Sequence, residues 1–215
     1  TFSSETKYGT RSILFTSSNL DYIESAANPA GFNIGASSRD WTIEAWVRLV
    51  NSAPGGVAIL GYGDIGPSAG QWADIGWSFH WLNQGADAKI MLSSGHNSRE
   101  YKPSAGVPSS ALSEDVWHHM ALISSATTGG NSGTHNRIRI YVNGTMEYED
   151  TEYSNAINTS SDHAFKINGY IYPDYSSPVN PGNYYMEDIR FSSVARYGIA
   201  GTTNNFTRPA TSLLA

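Results

Sequence analysis

The chain has 215 residues, with 13 Lys and Arg against 19 Asp and Glu and a formal net charge of −6, so it lacks the basic face of a nucleic-acid binder. Charged residues make up 15% and apolar residues 40%, which leaves ample material for a core and excludes a disordered or collagen-like chain. With no Cys, disulfide frameworks, thiolate metal sites and cysteine nucleophiles are excluded together, and the balance leans towards a bacterial or viral origin.

The start, Thr1-Phe2-Ser3-Ser4-Glu5, has neither the basic head nor the apolar stretch of a signal peptide, and no apolar run reaches the ~18 residues of a membrane span. Period-2 alternation then dominates. Short strands are expected at Ser12–Phe15 and Asp21–Glu24, with a single helical turn from Ala26 to Ile34. From Asp40 to Val50 the odd positions Trp41, Ile43, Ala45, Val47 and Leu49 are apolar, while Thr42, Glu44 and Arg48 point the other way, as in a strand with one face in a core. Val57–Leu60 is a further short strand, and Asp74–Leu82 repeats the alternation with Ile75, Trp77, Phe79 and Trp81 on one side. Strands follow at Lys89–Leu92 and, after a helical turn at Ser109–Glu114, at Trp117–Ile123. Asn136–Asn143 alternates again and ends in Asn143-Gly144, a two-residue hairpin signal because both residues tolerate positive φ, with the stretch around Tyr148 as its return strand. Ala164–Ile167 and Tyr185–Phe191 complete the set. Many short strands separated by Gly, Ser, Asn and Pro predict an all-β fold, a two-sheet antiparallel β-sandwich or jelly roll. With no linker and no internal repeat, residues 1–215 read as one domain.

Taken in order, Ser12-Ile-Leu-Phe15, Leu20-Asp-Tyr-Ile-Glu24, Trp41-Thr-Ile-Glu-Ala-Trp-Val47, Val116-Trp-His-His-Met-Ala121, Arg139-Ile-Tyr-Val-Asn-Gly144, Phe165-Lys-Ile-Asn-Gly169 and Met186-Glu-Asp-Ile-Arg190 resemble the motif series of laminin-G-like, concanavalin A-like jelly-roll domains. The resemblance implies a core over about residues 8–197 and a C-terminal extension at 198–215. Arg190-Phe-Ser-Ser-Val-Ala-Arg-Tyr197 and Asn205-Phe-Thr-Arg-Pro209 further resemble the ending of such domains in tailed-bacteriophage structural proteins. The family embraces lectins, adhesion modules, virion components and some glycoside hydrolases, so fold alone leaves function open. Some relatives hold calcium between an early Asp and a late acidic pair, so Asp21 and Asp188 are the candidate ligands for a structural calcium, and no cofactor is required. Here that pair is Glu187-Asp188, reversed from the usual order.

Glu147-Tyr-Glu149-Asp150-Thr-Glu152 resembles the acidic strand of hydrolases with this fold, but a regular strand turns Glu152 away from Glu147 and Glu149 unless a bulge intervenes. A solvated acidic edge that discourages aggregation is the expectation, so no catalytic residue is assigned. Adjacent His118 and His119 face opposite ways on a strand and read as hydrogen-bonded framework residues, as does Trp46. His80, His96, His135 and His163 show no ligand spacing.

Two long connections, Gly61–Ala73 and Gly169–Tyr184, carry aromatic rings. Tyr62, Trp72, Tyr101, Tyr170, Tyr172 and Tyr175, with Asp64, Asn97 and Arg99, are the candidate ligand residues, since such rings stack on sugars or anchor an interface. Pinning the loops remains the alternative role. Asn143-Gly-Thr145, Asn158-Thr-Ser160 and Asn205-Phe-Thr207 match the glycosylation pattern by chance in a composition this rich in Asn, Ser and Thr. The expectation is therefore a non-catalytic recognition or attachment module on a virion surface, held by other virion proteins or by copies of itself, with a host-surface glycan as further partner. It would contact no nucleic acid and insert into no membrane. A lattice-gripping role predicts that Gly198–Ala215 is buried in a protein contact. The alternative is a free-standing lectin or adhesin at a bacterial or extracellular surface.

Overall fold

In the alternating segment at Trp41, every odd position from 41 to 49 is at most 2% exposed. These side chains anchor the core of the computed structural model, which describes residues 2–16, 23–25, 40–51, 57–63, 75–82, 89–94, 99–101, 113–126, 136–153, 165–167, 183–197 and 205–213. The described strands are β1 (Phe2–Ser3), β2 (Ser12–Phe15), β3 (Ile23–Glu24), β4 (Trp41–Asn51), β5 (Val57–Gly63), β6 (Ile75–Leu82), β7 (Lys89–Ser94), β8 (Arg99–Tyr101), β9 (Trp117–Ala126), β10 (Asn136–Val142), β11 (Thr145–Tyr153), β12 (Phe165–Ile167) and β13 (Asn183–Ser192). They form a seven-stranded sheet, β1-β2-β13-β4-β9-β10-β11, and a six-stranded sheet, β3-β12-β5-β6-β7-β8. All paired strands run antiparallel, as the sandwich reading requires.

Between the sheets, Ile43, Val47 and Leu49 of β4 meet Met120, Leu122, Ile138, Ile140, Phe165, Ile167 and Met186. Burying each large aliphatic or aromatic side chain contributes roughly 1.5–3 kcal/mol, so this cluster carries the sandwich. Phe165 of the six-stranded sheet meets Phe191 of the other edge-on, with centroids 4.8 Å apart.

The Asn143-Gly144 hairpin forms as its residues dictate, with φ of 52° and 85°. The expected helical turn at Ala26–Ile34 lies outside the described residues, as does most of the one at Ser109–Glu114. β1 and β8 have no counterpart in the expected set, because two or three residues cannot display a period.

One face of the seven-stranded sheet departs from the simple alternation. Thr42, Glu44 and Trp46 point away from the main core yet are 0% exposed. The chain's own ends cover them. Lys7 and Tyr8 lie over Trp46, while Ala195, Tyr197 and Phe206 pack on Ala121, Ile123 and Tyr141 as a second apolar cluster. The described part of the expected extension, 205–213, is thus a strap across the chain's own sheet, with Leu213 buried.

Candidate functional site

Strand register decides which candidate ligand residues can meet. Phe165, Tyr62, Trp77, Ser94 and Arg99 are successive partners across the six-stranded sheet. Phe165 packs on Phe191, which pairs with Ile43, so this row lies towards the Trp41 end of the sandwich. Gly63 pairs with Ile75 and Ser94 with Arg99, so the connections 64–74 and 95–98 both leave and re-enter the sheet there. Tyr62, Arg99 and the flanks of Asp64, Trp72 and Asn97 therefore share one end. Tyr101 pairs with Leu92, further along.

The strand ends that flank Tyr170, Tyr172 and Tyr175 in sequence lie at the opposite end. β12 ends at Ile167, opposite Leu60, and β13 begins at Asn183, opposite Asn51. The strand ends that flank the two groups of candidate ligand residues thus lie at opposite ends of the sandwich. Asp64, Trp72, Asn97, Tyr170, Tyr172 and Tyr175 themselves lie outside the described residues, and Tyr62, Arg99 and Tyr101 are described only as strand backbone. Tyr62 also proves to be a strand residue, because β5 runs on to Gly63 before the connection begins.

The described polar chemistry concentrates on the covered face. His119 Nε2 donates to Glu44 Oε2 at 3.0 Å, Tyr197 OH donates to the same oxygen at 3.0 Å, and Arg190 donates through Nε and Nη2 to Oε1 at 2.8 and 2.6 Å. Burial pushes the Glu44 carboxyl up, but the bonds and charges of His119 and Arg190 pull it further down, to a net value below the ordinary 4.5. Arg190 Nη1 also donates to Leu213 O at 2.8 Å, so the cluster holds the strap. Trp46 packs between Tyr8 and His119, with Lys7 Nζ 4.9 Å and the Arg208 guanidinium 5.9 Å from its ring centre. This is the framework role expected of Trp46.

His118 and His119 face opposite sides, as adjacent strand residues must. His118 Nε2 donates to Ser113 O at 3.0 Å and its Nδ1 accepts from Asn143 Nδ2 at 3.0 Å, which fixes a neutral ring. Burial holds its value below the ordinary 6.5, with Arg208 adding to the effect and the Ser113 bond opposing it. Asn143 Oδ1 accepts from the His119 amide, so this side chain is occupied inside the fold, whatever its glycosylation pattern. Asn158 lies outside the described residues, and Asn205 is bonded to the Met146 amide.

On β13 the reversed acidic pair acquires a function that spacing alone does not reveal. Asp188 adopts φ 54° and breaks the register between Glu187 and Arg190. This bulge turns Glu187 and Arg190 to the same face, three residues apart. Glu187 accepts the Lys7, Tyr8 and Gly9 amides, while Asp188 accepts the Ser212 hydroxyl at 3.0 Å and the Leu213 amide at 2.8 Å. Both oxygens of Asp188 are thus committed to the strap, Asp21 lies outside the described residues, and no group of three or more acidic or His side chains suited to a metal occurs among the described residues. The described donors do not make a calcium cage.

β11 is the sheet edge, as expected. Glu149 bonds Arg139 at 2.8 Å and lies 3.4 Å from Arg137, and burial raises Glu147. A register shift does occur between Asp150 and Tyr153, but the side chain of Glu152 is outside the description.

Residues 18–195 match the family described as Concanavalin A-like lectin/glucanases superfamily. No curated protein sequence matches the chain. Among solved structures, the binding domain of Paraclostridial Mosquitocidal Protein 1 aligns at TM-score 0.58 and 9% identity, over 91% of this chain and 42% of that one. Domain 4 of AbnA, a GH43 extracellular arabinanase from Geobacillus stearothermophilus, in complex with arabinotriose, aligns at 0.53 and 16%, over 90% and 75%. The Botulinum neurotoxin serotype D binding domain aligns at 0.50 and 12%, over 87% and 40%. The chain therefore spans less than half of these toxin binding domains. At such identities the likeness is one of fold.

Proposed function

The chain belongs to the Concanavalin A-like lectin/glucanases superfamily, and from that premise we propose that it is a non-catalytic recognition and attachment module on a bacteriophage particle, a capsid decoration or a tail or fibre component, with a surface glycan as its ligand. The observation that carries this reading is the commitment of the polar clusters. Glu44 and Glu187 are buried in internal bonds, and Glu149 is paired with arginine, so these three carboxylates are engaged in holding the fold. A retaining glycosidase would need two carboxyls about 5 Å apart and open to a sugar. Recognition then falls to the two ends of the sandwich, where loops on a rigid scaffold can vary. The fold neighbours support binding in kind: two are toxin binding domains and one is an arabinanase domain solved with arabinotriose. The virion setting rests on the resemblance of 190–209 to phage structural proteins.

The test is a glycan array probed with the wild-type chain, Trp72→Ala and Tyr172→Ala. Loss of binding in either variant, with the fold retained, is the expected result. Wild-type protein that binds no glycan overturns the ligand reading, and both variants binding like wild type overturns the role of the loop rings in it. Co-purification with virions at a fixed copy number separates the phage setting from a free-standing bacterial lectin or adhesin.

A further inference from the structure

The strap and the N-terminal residues bury Trp46 completely but leave the next cross-strand row only half-buried, with Glu5 touching it at Arg48. Leu14, Tyr185, Arg48 and Trp117 are successive partners across β2, β13, β4 and β9, and directly opposed residues share a face. This row lies on the same face as Trp46, one step towards the Asn51 end. Its rings are only half-buried, and the neighbouring Val116 is 47% exposed. We propose that this row, with Glu5 and Asp115, is a stacking platform for a neutral pyranose ring. The proposal rests on the glycan-recognition reading and adds a sheet-face site to the loop candidates.

The chemistry fits a neutral sugar on three counts. Trp117 and Tyr185 lie with centroids 6.5 Å apart, and the Arg48 guanidinium sits 5.6 Å from the Tyr185 ring, so aromatic and planar cationic surface are contiguous. Arg48 is held from both sides, by Glu5 Oε2 at 2.7 Å and Asp115 Oδ1 at 3.3 Å, so the platform is set before a ligand arrives. Each carboxylate uses one oxygen on Arg48 and keeps the other as an acceptor for a sugar hydroxyl. Two carboxylates against one guanidinium leave the site net negative, which disfavours uronic and sialic acids. Asp115 is fixed by its left-handed φ of 59° and by its amide, which donates to Leu49 O at 2.7 Å.

The experiment uses the full chain on an array of neutral and acidic oligosaccharides, followed by calorimetry with the strongest neutral binder. Tyr185→Ala is expected to weaken binding about tenfold with an unchanged circular dichroism spectrum, which corresponds to about 1.4 kcal/mol of lost stacking. Asp115→Gly keeps the left-handed backbone, removes the carboxylate, and is expected to weaken binding severalfold. If Tyr185→Ala does not fold, Asp115→Gly and the exposed Glu5→Gln carry the test alone. Wild-type protein that binds neutral sugars with all these variants unaffected overturns the platform and leaves glycan recognition standing. A wild-type preference for acidic sugars also overturns the platform. A chain that binds no sugar overturns both.

Discussion

Glu44 is where charge and fold are most tightly coupled. Its carboxylate is fully buried and receives donors from His119, Arg190 and Tyr197. Replacing it with Ala strands a cation and a histidine at low dielectric, and breaking such a buried set typically costs about 3–5 kcal/mol. A fall of that size in urea unfolding is expected for Glu44→Ala, with a smaller one for Glu44→Gln, which keeps an acceptor. The pH dependence has two steps. The folded value of Glu44 lies below its ordinary 4.5, so its contribution is complete above that value and is lost as pH falls through the folded one. Burial holds His118 below 6.5, so as pH falls past that point the unfolded chain takes up a proton that the folded chain resists. Urea midpoints should therefore decline below about pH 6.5 and again below about 4.5. His118→Asn should flatten the upper step, and Glu44→Gln the lower.

At the scale of elements, the β10–β11 hairpin supports the strap as well as the sheet. Phe206 N donates to Gly144 O at 2.8 Å, and a Cβ on Gly144 would collide with Phe206 O. Since Gly144 also holds φ 85°, Gly144→Ala carries about 1–3 kcal/mol of backbone strain besides the collision, and thermal melts should show it. The hairpin itself was legible in Asn143-Gly144, and most strands were legible in their alternation. What alternation cannot show is whether a polar face stays open. Thr42, Glu44 and Arg48 read as an outward side, yet the first two are buried, because segments over 100 residues away in sequence return to cover them. The β13 bulge was equally hidden, since nothing in Met186-Glu-Asp-Ile-Arg190 marks Asp188 for a left-handed conformation. The candidate ligand residues were chosen by residue type, and type carries no register. Only the pairing of Gly63 with Ile75 and of Asn183 with Asn51 shows that the strand ends flanking them lie at opposite ends.

For the whole molecule, the bulge makes one strand responsible for both ends of the described chain. Glu187 gathers the amides of residues 7–9 and Asp188 gathers residues 212 and 213, while Tyr8 OH donates to Pro209 O at 2.9 Å and ties the two segments directly. A sheet face that would otherwise expose Trp46, Tyr141 and Ile123 is sealed only while both segments are docked. The two should consequently open together. The Tyr8 amide bonds Glu187 Oε1 at 2.9 Å and the Leu213 amide bonds Asp188 Oδ2 at 2.8 Å, so their hydrogen exchange reports on the two sides of one closure. Matching protection is expected in the wild-type chain. Glu187→Ala should lower protection at Leu213 as well as at Tyr8, although it removes no bond to Leu213. Loss confined to Tyr8 would mean that the N-terminal residues and the strap dock independently.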